Sequence, residues 1–289
     1  MASFDILDST QNAFKNFWEH KELYMRRSSF AIGVHAICIF FFIHSISFKD
    51  AETIQAGEVA FEVTRWTTFG VSIAIFVLGL IFLSKLYVFQ ARFLLTGKVD
   101  PIFLSNMSKK KSEEIHHDQE EEPSVGPVEK SYIIGICLVL GIFLLRHFLS
   151  EATEMISGSI QVFGDIAVLA FALVYAALLI WMLRLGVMHI PAAINYPLRR
   201  FLEVVSGFKF SFCLLGLIII ILVPMICVVA VFASIAIVLS GIIFEPAVNM
   251  VTSIVIAIGY VISFLILNGA SVYAIDEVMR NAEDNKEDK

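Results

Sequence analysis

The sequence predicts an all-α, polytopic membrane protein: six transmembrane helices, an N-terminal amphipathic interfacial helix and a short cytoplasmic interfacial helix. Three observations carry that class. The stretch from Phe210 to Phe244 contains no charged side chain, and it exceeds the roughly 20 apolar residues that cross a bilayer as a helix. The whole chain of 289 residues is 58% hydrophobic, with 26 Phe and a mean hydropathy of +0.80, which leaves too few polar groups to cover a water-facing surface. Finally, the basic residues segregate. Seventeen lysines and arginines fall on one side of the predicted spans, and only Lys49, Arg65 and Arg146 fall on the other. By the positive-inside rule that bias puts both termini in the cytoplasm.

Residues 1–27 are polar in composition yet patterned. Leu7, Phe14, Trp18 and Met25 recur at helical spacing, with Ile6 and Phe17 widening the stripe and Asp5, Asp8, Asn12, Lys15, Glu19 and Glu22 mostly elsewhere. This reads as a helix lying in the interface, with Phe14 and Trp18 as candidate membrane anchors. The segment lacks the short apolar core and cleavage site of a signal peptide and is read as mature protein.

The six spans run approximately from Ser28 to Phe48, Gly70 to Leu95, Tyr132 to Leu149, Val162 to Leu183, Phe210 to Ser240 and Val248 to Ala274. Spans one and two fall in residues 28–97, and spans three to six in 132–275. The fifth run is long enough for two short crossings, but it contains no turn chemistry apart from Pro224. A proline inside a membrane helix kinks it rather than reversing it, so one long helix bent at Pro224 is expected. A hairpin there would also carry the C-terminal basic residues to the other side.

Two predicted cytoplasmic connections differ in kind. Residues 98–131 form a charged linker with Lys109-Lys110-Lys111, His116-His117 and an acidic run from Asp118 to Glu122. Such composition makes a disordered tether. Its adjacent histidines could catch a metal, but the flexible acidic context argues against a specific site. Residues 189–209 are shorter and patterned. Leu198, Phe201, Leu202 and Val205 follow i, i+3, i+4, i+7 after Pro197, and Gly207 ends the turn. Arg199, Arg200, Phe201 and Glu203 are the candidate interface on this helix, facing lipid phosphates or a partner. Residues 276–289 form an acidic cytoplasmic tail, expected to fray.

Ionisable residues within spans are costly. Lys85 lies within snorkelling reach of the headgroups. His35 sits deeper and reads as neutral, bonded to a neighbouring helix. His44, Arg146, His147 and Asp165 map near the outer ends of spans one, three and four, the one mixed acid–base constellation in the chain. A structural ion-pair cluster explains it, and a proton or substrate pathway is the alternative. Catalytic motifs are absent: there is no His-Glu-x-x-His, Gly-x-Ser-x-Gly or Walker loop. Neither a cofactor, a metal nor a nucleic-acid partner is expected. The four cysteines (Cys38, Cys137, Cys213, Cys227) lie inside spans and read as packing residues. Small residues at four-residue spacing (Ala172–Ala176, Ala236–Ser240, Ser253–Ala257, Gly259–Ser263) point to close packing among spans four, five and six.

The segment Arg184-Leu-Gly-Val-Met-His-Ile-Pro-Ala-Ala-Ile194, continued from Pro197 to Phe212, resembles six-span bacterial inner-membrane proteins related to the membrane domain fused to some glycerophosphodiester phosphodiesterases. The resemblance covers the layout and about thirty residues, and the linker 98–131 departs from it. It implies a bacterial inner-membrane location and carries no catalytic residues. The permease subunits of ABC importers also place a cytoplasmic helix between late spans, but Glu203-Val-Val, Gly207 and Val223–Pro224 do not fit their loop. The chain therefore reads as a non-enzymatic scaffold or assembly protein, binding the lipid bilayer and other membrane subunits or itself. A transporter or channel subunit using the outer polar cluster is the alternative.

Overall fold

A computed structural model describes residues 4–47, 58–97, 164–193, 196–243 and 247–287. The described elements are all helical: α1 (Ile6–Glu19), α2 (Lys21–Ser47), α3 (Glu58–Thr96), α4 (Gly164–Gly186), α5 (His189–Ala193), α6 (Leu198–Val204), α7 (Phe208–Ile243) and α8 (Val248–Glu287). Among the described residues, five stretches are long and apolar enough to cross a membrane: Lys21–Ile43, Thr68–Thr96, Ala176–Ala193, Phe208–Ile242 and Val248–Ala282. The chain is thus an all-α, multi-pass membrane protein with additional short helices. The third predicted span, Tyr132–Leu149, and the linker 98–131 lie outside the described residues.

Three expectations change. The N-terminal helix does not run to Arg27. It ends at Glu19, and a second helix, which contains the first predicted span, begins at Lys21. Across His20 the i→i−4 bonds continue, His20 N to Asn16 O and Tyr24 N to His20 O, each 3.0 Å, and side chains on either side of it meet. Phe17 and Tyr24 stack with centroids 5.7 Å apart and planes 5° apart, and the Tyr24 hydroxyl donates to Asn16 Oδ1 at 2.7 Å. Tyr24 is fully enclosed. The acidic tail is not frayed from Asp276, since α8 stays helical to Glu287. Ile275, Val278 and Met279 continue its buried stripe at i, i+3, i+4, and Asp276 pairs with Arg280 at 2.7 Å on the outer side. Finally, His35 bonds within its own helix rather than to a neighbour: Nδ1 lies 2.7 Å from the Ala31 carbonyl.

The long fifth-span helix is continuous as expected, with Pro224 inside it. Glycine ends α3: Gly97 has φ 69°, the left-handed conformation that closes a helix C-terminus, and its N–H returns to Phe93 O at 2.9 Å. At the start of α1 the Asp5 carboxylate accepts from the N–H groups of Leu7 (2.8 Å) and Asp8 (3.1 Å), satisfying first-turn donors as an N-cap.

The described residues divide into two compact units. One takes the described residues within Met1–Ser9, Ala91–Leu217 and Ser271–Lys289, the other those within Thr10–Gln90 and Ile218–Ala270. In the second unit α2 and α3 are joined by reciprocal bonds between Cys38 and Ser72, Sγ to Ser72 O at 3.3 Å and Ser72 Oγ to Cys38 O at 3.2 Å. Phe30 meets Phe82 edge-on at 4.5 Å. Between α3 and α8, Asn268 Nδ2 donates to Gln90 Oε1 (2.9 Å) and Tyr87 O (3.2 Å). Gly259 of α8 lets Val229 of α7 lie against its backbone, where a Cβ would collide with it. Ser253, Ala257 and Ser263, from the small-residue pairs, are buried along α8.

Candidate functional site

Residues 181–212, in the first unit, hold the most elaborate polar construction among the described residues. It begins with Arg184 in the last turn of α4, three residues after Trp181 and hence on the same face. The guanidinium stacks on the indole, Cζ 3.7 Å from the ring centroid. Its Nη1 donates to Ser206 O at 2.9 Å and to Val205 O at 3.3 Å. These are carbonyls at the end of α6, where a helix leaves acceptors unsatisfied. Ser211, in the first turn of α7, donates from Oγ to Trp181 O at 3.4 Å. The end of α4 therefore clasps both the end of α6 and the start of α7.

Around this clasp the short helices are seated by apolar side chains. Ile190, Pro191, Ala192 and Ala193 of α5 are all buried, and Arg92 Nε of α3 donates to Ala193 O at 3.0 Å. Phe201 of α6 and Phe210 of α7 are both fully enclosed, their rings edge-on at 6.5 Å. Phe4 meets Phe210 at 5.7 Å. Asp5 N donates to Glu277 Oε2 at 3.2 Å, tying the start of α1 to the C-terminal third of α8.

The predicted interface residues separate on this base. Phe201 is core and presents nothing outward. Arg199 and Glu203 form an i, i+4 pair at 3.2 Å with both side chains solvent-facing, and the Arg200 guanidinium lies 5.7 Å from the Tyr196 ring. Phe14 and Trp18, the anchor candidates, are exposed on α1, with Lys21 Nζ 4.3 Å over the indole. Ser9, Ala13 and Phe17 form a different, buried strip of the same helix. Of the outer polar cluster, Arg146 and His147 lie outside the described residues. His44 and Asp165 sit within α2 and α4, and only their backbones are described.

Arg184 is one of the seventeen bases that the sequence places on one side of the spans, and its burial was not anticipated. The Trp-x-x-Arg spacing at a span end was the available signal, since it puts a cation on an indole face.

Apart from the interhelical bonds of Cys38, Ser72 and Asn268, several polar groups in the second unit's spans bond within their own helices. Ser234, Ser253 and Ser263 return their hydroxyls to the carbonyl four residues back. His35 is buried, with Gly79 under its ring, where a Cβ would lie 2.7 Å from Cε1, and Tyr260 beside it at 5.0 Å. Because a carbonyl only accepts, Nδ1 carries the proton, and Nε2 has no hydrogen-bond partner. Lys85 is exposed on α3, compatible with a headgroup-directed side chain. No group of three His, Cys, Asp or Glu that could hold a metal occurs among the described residues. A groove of about 440 Å³ along α7 and α8 is lined mostly by apolar side chains including Phe232, Leu239 and Val255, together with Ser240.

No known protein family, characterised protein or solved structure matches the chain.

Proposed function

We propose that the chain is a non-enzymatic membrane scaffold or assembly subunit, and that α6 is its docking edge for another membrane protein or a second copy. The supporting observation is the combination in α6 of a buried, hydrogen-bonded base and a charged outer edge. Phe201 and the Arg184 clasp fix the helix from beneath, while Arg199 and Glu203 stand in solvent. Rigid elements carrying a polar rim suit recognition, because little conformational entropy is lost on binding. The seventeen-to-three basic bias supports a cytoplasmic location for this edge and for both termini, and the resemblance described above supports a bacterial inner membrane.

The test is purification of the full chain in mild detergent, with identification of what co-elutes. A stoichiometric partner or a dimer is expected, and Arg199→Glu with Glu203→Arg should preserve the fold and the i, i+4 pair while weakening association. A lone chain that moves a solute across proteoliposomes would contradict the reading.

One observation favours transport as the second reading: the buried His35 with an unshared Nε2 lone pair in a membrane span, a group able to accept a proton or a ligand donor. His35→Gln abolishing solute movement at unchanged stability would favour it.

A further inference from the structure

We infer that the junction of α4, α6 and α7 binds the phosphate of an anionic phospholipid. The argument begins with a buried cation. Arg184 is 7% exposed, and no carboxylate pairs with it among the described residues. Its Nη1 is used on the carbonyls of Val205 and Ser206, whereas Nε is enclosed and has no hydrogen-bond partner. Among the described residues Nη2 is neither bonded to a protein atom nor enclosed, so the small exposed part of the side chain offers an N–H donor. Neutral carbonyls solvate a guanidinium but do not neutralise it, and a buried charge normally acquires a counter-ion.

The second element is the start of α7. The first N–H groups of this 36-residue helix have no intrahelical acceptor, and the helix dipole makes that end electropositive. The residue before the helix is Gly207, which has no side chain to cap it. A Cβ there would meet nothing within 4 Å, so the approach is open. Lys209 adds an exposed cation in the first turn. The Arg184 clasp on Ser206 and the Ser211 bond to Trp181 put the guanidinium beside this end.

The third element selects a lipid over free phosphate. Trp181, Phe208 and Phe212 are exposed aromatic side chains at the same junction, Phe208 and Phe212 with centroids 5.0 Å apart. Aromatic residues at a span end match the headgroup–acyl boundary. A phosphate held by Nη2, Lys209 and the first-turn amides would run its acyl chains over these rings. The inference stands apart from the scaffold reading, since it needs neither a protein partner nor α6's outer edge.

The test uses the full chain in mild detergent, titrated with phosphatidylglycerol, phosphatidylcholine or inorganic phosphate and followed by native mass spectrometry and thermal stability. Phosphatidylglycerol should be retained roughly tenfold better than phosphatidylcholine. Gly207→Asp supplies a built-in anion and a helix cap at an unobstructed position. It should erase that preference while leaving lipid-free stability equal or higher. Lys209→Gln should weaken the preference without affecting folding. Equal retention of both lipids by the wild type, or an undiminished preference in Gly207→Asp, would overturn the inference. Stabilisation by inorganic phosphate without any lipid preference would also overturn it and assign the site to free phosphate.

Discussion

Helices α7 and α8 are both long membrane helices, but they are built on opposite plans. Over Phe208–Ile242 the apolar window has the highest mean hydropathy of the five candidate spans, yet only 17% of it is buried; over Val248–Ala282 the figure is 39% at lower hydropathy. The less apolar helix is the more enclosed. Its buried residues include Ser253, Ser263, Asn268 and Ser271 among Ala257, Val261, Leu265 and Ala270. Ile219, Val223, Ile226, Val231 and Val238 on α7 are exposed. In lipid, hydrophobicity does not drive helices together; small residues, close packing and hydrogen bonds do. Strong hydropathy therefore marks the surface that meets acyl chains, and polar or small residues mark the interior.

The largest expected effect comes from truncating one apolar residue on each helix. Leu265→Ala removes an enclosed side chain of α8 and should cost about 2–5 kcal/mol. Ile226→Ala, 62% exposed on α7, should stay within about 0.5 kcal/mol. Unfolding of the purified chain in mild detergent measures both, and similar costs would break the comparison. Next comes Gly259→Leu, which forces a side chain into Val229 and should cost about 1–3 kcal/mol by overpacking. Val229→Ala should recover part of that loss. A smaller effect is expected at Asn268, whose amide donates to Gln90. Asn268→Leu strands the Gln90 carboxamide oxygen and should cost about 1–2 kcal/mol, with Gln90→Leu added on top restoring much of it. Additivity in that cycle would show that the two groups are not coupled. The smallest effect belongs to the exposed Arg199–Glu203 pair, whose removal should change stability by less than about 0.5 kcal/mol.

Much of this architecture was legible in the sequence because the bilayer imposes simple rules. An uncharged run from Phe210 to Phe244 has few solutions other than a spanning helix, and Pro224 lies within one as expected. The i, i+3, i+4, i+7 pattern located α6 within a residue. What the pattern could not give was which side of an apolar helix meets protein. On α1 the stripe of Leu7, Phe14 and Trp18 is exposed, while Ala13 and Phe17 are buried; both strips are apolar, and periodicity alone ranks them equally. The enclosure of Tyr24 goes with its stack on Phe17 and its bond to Asn16, contacts that the polar composition of this segment does not announce. Continued helicity past Asp276 depends on where Val278 and Met279 are buried, which outweighs an acidic composition. Arg184 was visible as a charge but not as a buried one, because its acceptors are backbone carbonyls some twenty residues away. Side-chain identity carries no record of these.

The contrast between α7 and α8 can be read directly on the wild-type chain. Reconstitution with a phospholipid carrying a photoreactive group on its acyl chain, followed by mapping of adducts by mass spectrometry, reports which residues touch lipid tails. Adducts should concentrate on the α7 residues between Phe212 and Leu239 and be sparse on α8 from Ala257 to Ile275. Comparable labelling of the two segments would contradict the account.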